Sequence, residues 1–236
     1  MEIMTQAVAS RRAFLRSAAT VAGAGLLYGC ASRTVTTAAA PPAMPAPPPP
    51  PVATPVEPVV RAATAPAGIR PELFQRALAA LQQHGSRIRQ QDRIAIADFS
   101  LPSSRLRLHL VDLQSGVTRS LHVSHGIGSD PDHTGVLQRF SNEVGSEATS
   151  EGAFLAANYY VGKHQLSQRL IGLDATNNNA LDRAIVIHSA WYSNADMIAK
   201  HGKLGRSQGC FSVGESYLDT VFGLLGEGRM IYATKV

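Results

Sequence analysis

The sequence predicts a mostly β, α+β domain, a β-sandwich or small barrel with a few short helices, carried behind a signal segment and a disordered proline-rich linker. Three observations predict it. Ten of the 14 prolines lie between Pro41 and Pro58, which leaves a globular candidate only beyond about Ile69. After that point short apolar segments recur, bounded by turn residues and in places alternating with a period of two. Helical spacing is confined to a few stretches, and no internal repeat is visible.

The elements follow in order. Pro71 and Glu72 open a first turn, and Leu73, Phe74, Ala77, Leu78 and Leu81 recur every three to four residues, an amphipathic helix ending near Gly85. Residues 93–99 form a strand. Leu106, Leu108 and Leu110 alternate with Arg107 and His109, and the turn Gln114-Ser115-Gly116 leads into a third strand over 117–123, so these two pair as a hairpin. Further strands are expected over 152–161, 168–173 and 184–188, with a short helix over 194–201. Ser212 and Glu215 have capping-box spacing ahead of Tyr217, Leu218, Val221, Phe222 and Leu225, which predicts a helix starting just after Cys210. Residues 230–234 close the domain as a strand.

The N-terminus reads as an address. Ser10-Arg11-Arg12-Ala13-Phe14-Leu15-Arg16, ahead of a weakly hydrophobic stretch, resembles a twin-arginine export signal, and Leu27-Tyr28-Gly29-Cys30 resembles a lipobox in which Cys30 is lipidated. The expected organisation is a signal over 1–29, an Ala/Pro-rich linker over 30–70 and a folded domain over 71–236. The linker composition cannot bury enough apolar surface to offset its ordering entropy. Eighteen residues of polyproline-like chain at ~3.1 Å each reach roughly 55 Å, enough to carry a domain away from a membrane surface.

Charge and hydropathy exclude several classes. Mean hydropathy is -0.02, and no apolar run approaches the roughly 20 residues a spanning helix needs, so a polytopic membrane protein is excluded. The net charge is +5, but three arginines fall in the signal segment and the rest of the chain is only mildly basic. With 6% aromatics and no dense Lys/Arg cluster, nucleic-acid binding is not expected.

Only two cysteines exist, and with Cys30 lipidated, Cys210 has no partner in an oxidising compartment. Ser207-Gln208-Gly209-Cys210 is a polar, glycine-containing loop; with a helix beginning beyond it, the helix N-terminus would favour a thiolate. A thiol nucleophile needs a base, and His188 is the best placed histidine, at the end of the apolar run 185–187 beside a loop. Ser189 is the candidate orienter of its imidazole, through hydroxyl or carbonyl. A zinc reading of His122, His125 and His133 is disfavoured, because strand positions three apart point to opposite faces.

Ile187-His188-Ser189-Ala190-Trp191, followed by Ser207-Gln208-Gly209-Cys210, resembles the L,D-transpeptidase (YkuD-type) catalytic domain family over roughly residues 125–236. It resembles in particular the murein L,D-transpeptidase branch, in which Ser141-Asn142-Glu143, Lys163-His164, Gly172-Leu173 and the segment ending at His188 recur as blocks. The resemblance implies Cys210 as nucleophile, His188 as base, Ser189 as orienter, and Gly209 with the Cys210 amide at the oxyanion hole. It implies peptidoglycan stem peptides as partner, an L,D-transpeptidase-like fold, no cofactor and no metal. Tyr192, Asn142, Arg206 and Ser207 are candidate substrate contacts, with Trp191, Tyr160 and His164 also in the recurring blocks. Gln208 departs from the family's usual histidine, and Ser212 stands where many relatives carry arginine or asparagine, leaving recognition of a substrate carboxylate unassigned. A hydrolase on the same fold and a non-catalytic envelope-binding lipoprotein are the alternatives. The expected location is the bacterial envelope, periplasm-facing and membrane-anchored through Cys30.

Overall fold

The computed structural model describes residues 64–236; the expected signal, the Cys30 lipidation site and the linker up to residue 63 lie outside the described residues. Helix α1 (Pro71–Gln83) precedes β1 (Arg93–Asp98), β2 (Leu108–Asp112), β3 (Thr118–Leu121), β4 (Gly152–Gly162), β5 (Gln165–Gly172) and β6 (Val186–Ser189). Then come α2 (Ala195–His201), β7 (Phe211–Val213), α3 (Leu218–Leu225) and β8 (Met230–Thr234). The eight strands form one mixed sheet in the order β3-β2-β1-β8-β4-β5-β6-β7. Only β1–β8 and β6–β7 are parallel. The fold is mostly β, as expected, and the sheet curls: Ser124, just beyond β3, donates from its amide to Ser212 of β7 at 2.9 Å.

Strand alternation divides the sheet into two faces. Ala95, Leu110, Phe154, Leu170, Ile187, Phe211 and Ile231 point into the main core, where Val221 and Leu225 of α3 cover them. On the other face, Ile94, Ile96, Ala153 and Met230 pack under Leu73, Phe74 and Ala77 of α1. Alternation along β5 places Ser167 and Arg169 on the α1 side of the sheet, and the pairing of Ser167 with His188 carries β6 with them. The functional candidates therefore share a face with α1 but lie at the other end of the sheet.

The helix expected just after Cys210 is instead strand β7. Phe211 and Val213 are fully buried in the core, and their burial in the sheet outweighs the capping-box spacing. Ser212 Oγ is 3.0 Å from Ser193 Oγ and caps nothing. The first helical amide, Glu215 N–H, donates to Asn194 Oδ1 at 2.8 Å, and α3 begins only at Leu218.

The fold also starts earlier than residue 71. Ile69 is buried in the α1 core, and Arg70 donates to Asp98 through two nitrogens, at 2.7 and 3.1 Å, and to the Val236 carbonyl at 2.9 Å. The Asp98 side chain is 3% exposed but that of Arg70 is 42% exposed, and Asp98 keeps the Ser100 amide as a donor, so loss of this partly screened pair costs about 1 kcal/mol and loss of the buried Ile69 side chain about 1.5–3 kcal/mol more. A chain starting at residue 71 should therefore be less stable than one starting at 64 by roughly 3 kcal/mol in urea denaturation; equal midpoints would show that this segment adds nothing.

Candidate active site

Strands β6 and β7 run in parallel with Ile187 opposite Phe211 and His188 opposite Ser212. Because Ile187 and Phe211 enter the core, His188 and Ser212 lie on the outer face. Cys210 immediately precedes β7, with its sulfur 3.6 Å from the Ala184 carbonyl and beside the Val186 amide. Thiol and imidazole thus come from neighbouring chain segments held about 4.8 Å apart by a strand ladder.

Backbone bonds hold the cysteine loop. The Ser207 amide donates to the His125 carbonyl at 2.9 Å, and the Ile127 amide donates to the Ser207 carbonyl at 2.8 Å. Ser207 Oγ donates to the Cys210 carbonyl at 2.7 Å and accepts from the Gly209 amide at 3.2 Å. Gly209 has φ +105, and a Cβ there would lie 2.9 Å from both the Ala148 carbonyl and Ile185 Cδ1. Conformation and space both require glycine.

Burial pushes the Cys210 thiol up, with the Val186 amide and the Arg183 cation opposing. With a strand following Cys210, no helix terminus favours the thiolate, so the thiol is protonated at rest. Burial likewise pushes His188 down to about 4, with the Ser189 carbonyl opposing and the neighbouring His164 adding to the depression. His188 Nδ1 lies 2.8 Å from the Ser189 carbonyl. A carbonyl only accepts, so Nδ1 carries the proton and Nε2 keeps its lone pair. His164, at the β4–β5 turn, stacks on His188 with ring centroids 4.1 Å apart and planes at 19°.

The other predicted residues divide. Tyr192 reaches the site: burial raises its phenol, a hydrogen bond with the Ser212 side chain opposes, and Cys210 adds to the rise. Ser189 orients His188 through its carbonyl, and Ser207 braces the loop. Asn142 Nδ2 is engaged by the Ala175 carbonyl at 2.9 Å and Asn178 Oδ1 at 2.6 Å, tying two loops together. Arg206 is half-buried and donates to the carbonyls of Asp130 and Pro131. Gln208 Nε2 donates to Glu147 Oε1 at 2.7 Å. His125 Nδ1 lies 2.8 Å from Arg107 Nη2 and His133 Nε2 lies 2.9 Å from the Leu204 carbonyl. Among the described residues, no group of three or more His, Cys, Asp or Glu side chains is arranged to hold a metal ion.

Sequence reasoning assigned no role to Arg183. Its guanidinium donates to the carbonyls of Ser141, Ser146 and Ala148 and to Ser150 Oγ, fastening the 141–150 loop beside Gly209. It is also the cation that favours the Cys210 thiolate. The available signal was an arginine placed directly before an all-apolar run.

Two outcomes are expected. Gly209→Ala should cost roughly 2–4 kcal/mol in denaturant unfolding, from left-handed strain plus overpacking; a neutral effect would contradict the packing just described. Because the thiol is raised above its ordinary value of 9.0, Cys210 alkylation by iodoacetamide should be slow at pH 7 and rise only above pH 9, and a plateau already reached at pH 7 would show a preformed thiolate.

The family model described as L,D-transpeptidase catalytic domain matches residues 66–234. No curated protein matches the chain. Among solved structures, an L,D-transpeptidase from Mycobacterium smegmatis is 13% identical, with a TM-score of 0.38 over 61% of this chain and 58% of its own. An L,D-transpeptidase from Mycobacterium tuberculosis is 12% identical, with a TM-score of 0.39 and the same coverage of 61% and 58%. One from Stackebrandtia nassauensis is 13% identical, with a TM-score of 0.37 over 61% and 56%. The chain thus spans less than two thirds of each of these structures. With the family model matching well over half of its length, the chain belongs to the L,D-transpeptidase catalytic domain family.

Proposed function

We propose that this protein is an exported peptidoglycan L,D-transpeptidase that acts through Cys210. The observation that carries the reading is the pairing of β6 with β7, which sets Cys210, the residue before β7, and His188 on adjoining segments at one end of the sheet, with the imidazole Nδ1 tied to the Ser189 carbonyl and Nε2 left as the basic nitrogen. The substrate is the tetrapeptide stem of peptidoglycan. His188 Nε2 takes the thiol proton as Sγ attacks the carbonyl carbon at the L-centre of meso-diaminopimelate. The resulting oxyanion is stabilised by the Cys210 amide, since the Gly209 amide is occupied by Ser207 Oγ. Collapse breaks the peptide bond, D-alanine leaves with the proton from His188, and a Cys210 thioester remains. An acceptor amine then attacks the thioester, gives a proton to His188, and the thiol is restored. No step calls on a cofactor.

In this reading the twin-arginine segment exports the chain, Cys30 carries the lipid anchor, and the proline-rich linker spaces the domain from the membrane, facing the periplasm. Arg183 positions the cysteine loop. Tyr192 lines the substrate groove.

The test is incubation of the chain and of Cys210→Ala with tetrapeptide-rich muropeptides, followed by mass spectrometry. D-alanine release with diaminopimelate-to-diaminopimelate cross-links in wild type only is the expected result. Release without cross-links would indicate a hydrolase, and no reaction would indicate a binding protein. His188 acts as a base only when neutral, and its folded pKa lies near 4 rather than 6.5. The acid limb of kcat/KM should therefore fall well below pH 6; a limb centred at 6.5 would exclude His188 as the base in this environment.

A further inference from the structure

We propose that Arg169 is the carboxylate-binding residue of the site, holding an anionic group of the acyl donor against the sheet face that carries His188. This rests on the peptidoglycan reading above.

Strand register places Arg169 at the site. Ser167 on β5 pairs with Tyr160 on β4 and with His188 on β6. Arg169, two residues on, pairs with Val186, the residue whose amide lies beside the Cys210 sulfur. Tyr160, Arg169 and His188 are therefore on one face. Between Ala156 and Tyr159 the β4–β5 register shifts, so that Leu170 pairs with Ala156 while Gln168 pairs with Tyr159. Residues 157 and 158 bulge, and Arg169 has no direct partner on β4. Bulges re-aim side chains. Here the Arg169 guanidinium lies over the Tyr160 ring, 3.9 Å from its centroid.

That contact fixes the plane of the guanidinium and leaves its N–H edges open. A cation held flat on a ring is pre-organised for a bidentate carboxylate, and both residues are only half-buried, so a ligand can reach them. The other arginines at the site are engaged: Arg183 by four oxygens and Arg206 by two carbonyls. Arg169 pairs with no carboxylate among the described residues. Ser212, opposite His188, is occupied by the buried hydroxyl chain of Ser193 and Ser124. The donor stem carries three carboxylates, on D-glutamate, on the distal carbon of diaminopimelate and on D-alanine. The chemistry recognised is the same for all.

The experiment uses the full chain with synthetic tetrapeptide donors, one unmodified and three each amidated at one carboxylate. Arg169→Gln should raise KM for the unmodified donor about 10- to 100-fold, the range of a charge-assisted hydrogen bond, with kcat within about threefold. Arg169→Lys should recover part of it. One amidated donor should show the same loss with wild type and no further loss with Arg169→Gln, which identifies the carboxylate. Alkylation of Cys210 by neutral iodoacetamide should be unchanged in Arg169→Gln; a parallel fall would mean a disturbed site and overturn the assignment. Active wild type with KM unchanged by Arg169→Gln for every donor would overturn it and leave the transpeptidase reading intact. Wild type inactive on every donor would overturn that reading itself.

Discussion

The site depends on the short parallel pairing of β6 with β7. Three residues on each strand set which side chains face outward, and they place His188 level with Ser212 and the cysteine just before it. A slip of one residue would send Cys210 and Ser212 toward the core and Phe211 toward solvent. The slip is opposed by Ile187, Phe211 and Val213, all buried in the same cluster, each worth about 1.5–3 kcal/mol of burial. The chemistry on the outer face is thus held by packing on the inner face. A parallel pair also needs a crossover, and residues 190–210 supply it with α2 and the short 3-10 turn Trp191–Ser193. That crossover is what brings Tyr192 beside Ser212.

The cysteine loop has a second support from behind. Arg107 is fully buried and donates to the Val123 and Leu101 carbonyls and to His125. Burial brings its pKa down to about 9, with Asp98 and Asp130 opposing. His125 in turn approaches Asp130, whose carboxylate accepts from the Thr134 and Gly135 amides. Removing any member of such a chain leaves a buried polar group unpaired, which is more costly than the chain is stabilising. Its value is geometric: His125 receives the Ser207 amide through its own carbonyl, so the position of the cysteine loop is referred to the β2–β3 end of the sheet.

Much of this was legible in the sequence. Amphipathic spacing marked α1, alternation marked β2, and an apolar run ending in histidine marked β6. The two residues singled out by the family motif, His188 and Cys210, fall on β6 and directly before β7. The failures share a cause: capping-box spacing at Ser212 and Glu215 is a local signal, and the burial of Phe211 and Val213 is a tertiary one that overrode it. Asn142 could be recognised as part of a recurring block, but only the fold shows its amide tying the 142 loop to the 175–179 segment. Arg169 was invisible for a similar reason. Its role depends on a bulge on the neighbouring strand and a ring two residues past it, neither of which its own neighbourhood encodes.

The electrostatics follow from the same burial. An exposed cysteine–histidine pair can rest as thiolate and imidazolium, each stabilised by water. Here His188 is 1% exposed and Cys210 8%, and desolvation dominates the shift of both, raising the acid and lowering the base. Each group therefore rests neutral, and in the proposed reaction the charges that develop are met by the Arg183 cation, which favours the thiolate, and by the Ser189 carbonyl, which favours the protonated imidazole. In the exported location proposed above, a thiol gains from this arrangement. Thiolate is the form that oxidants attack, so on the proposed reading a nucleophile that stays protonated between turnovers is slow to oxidise.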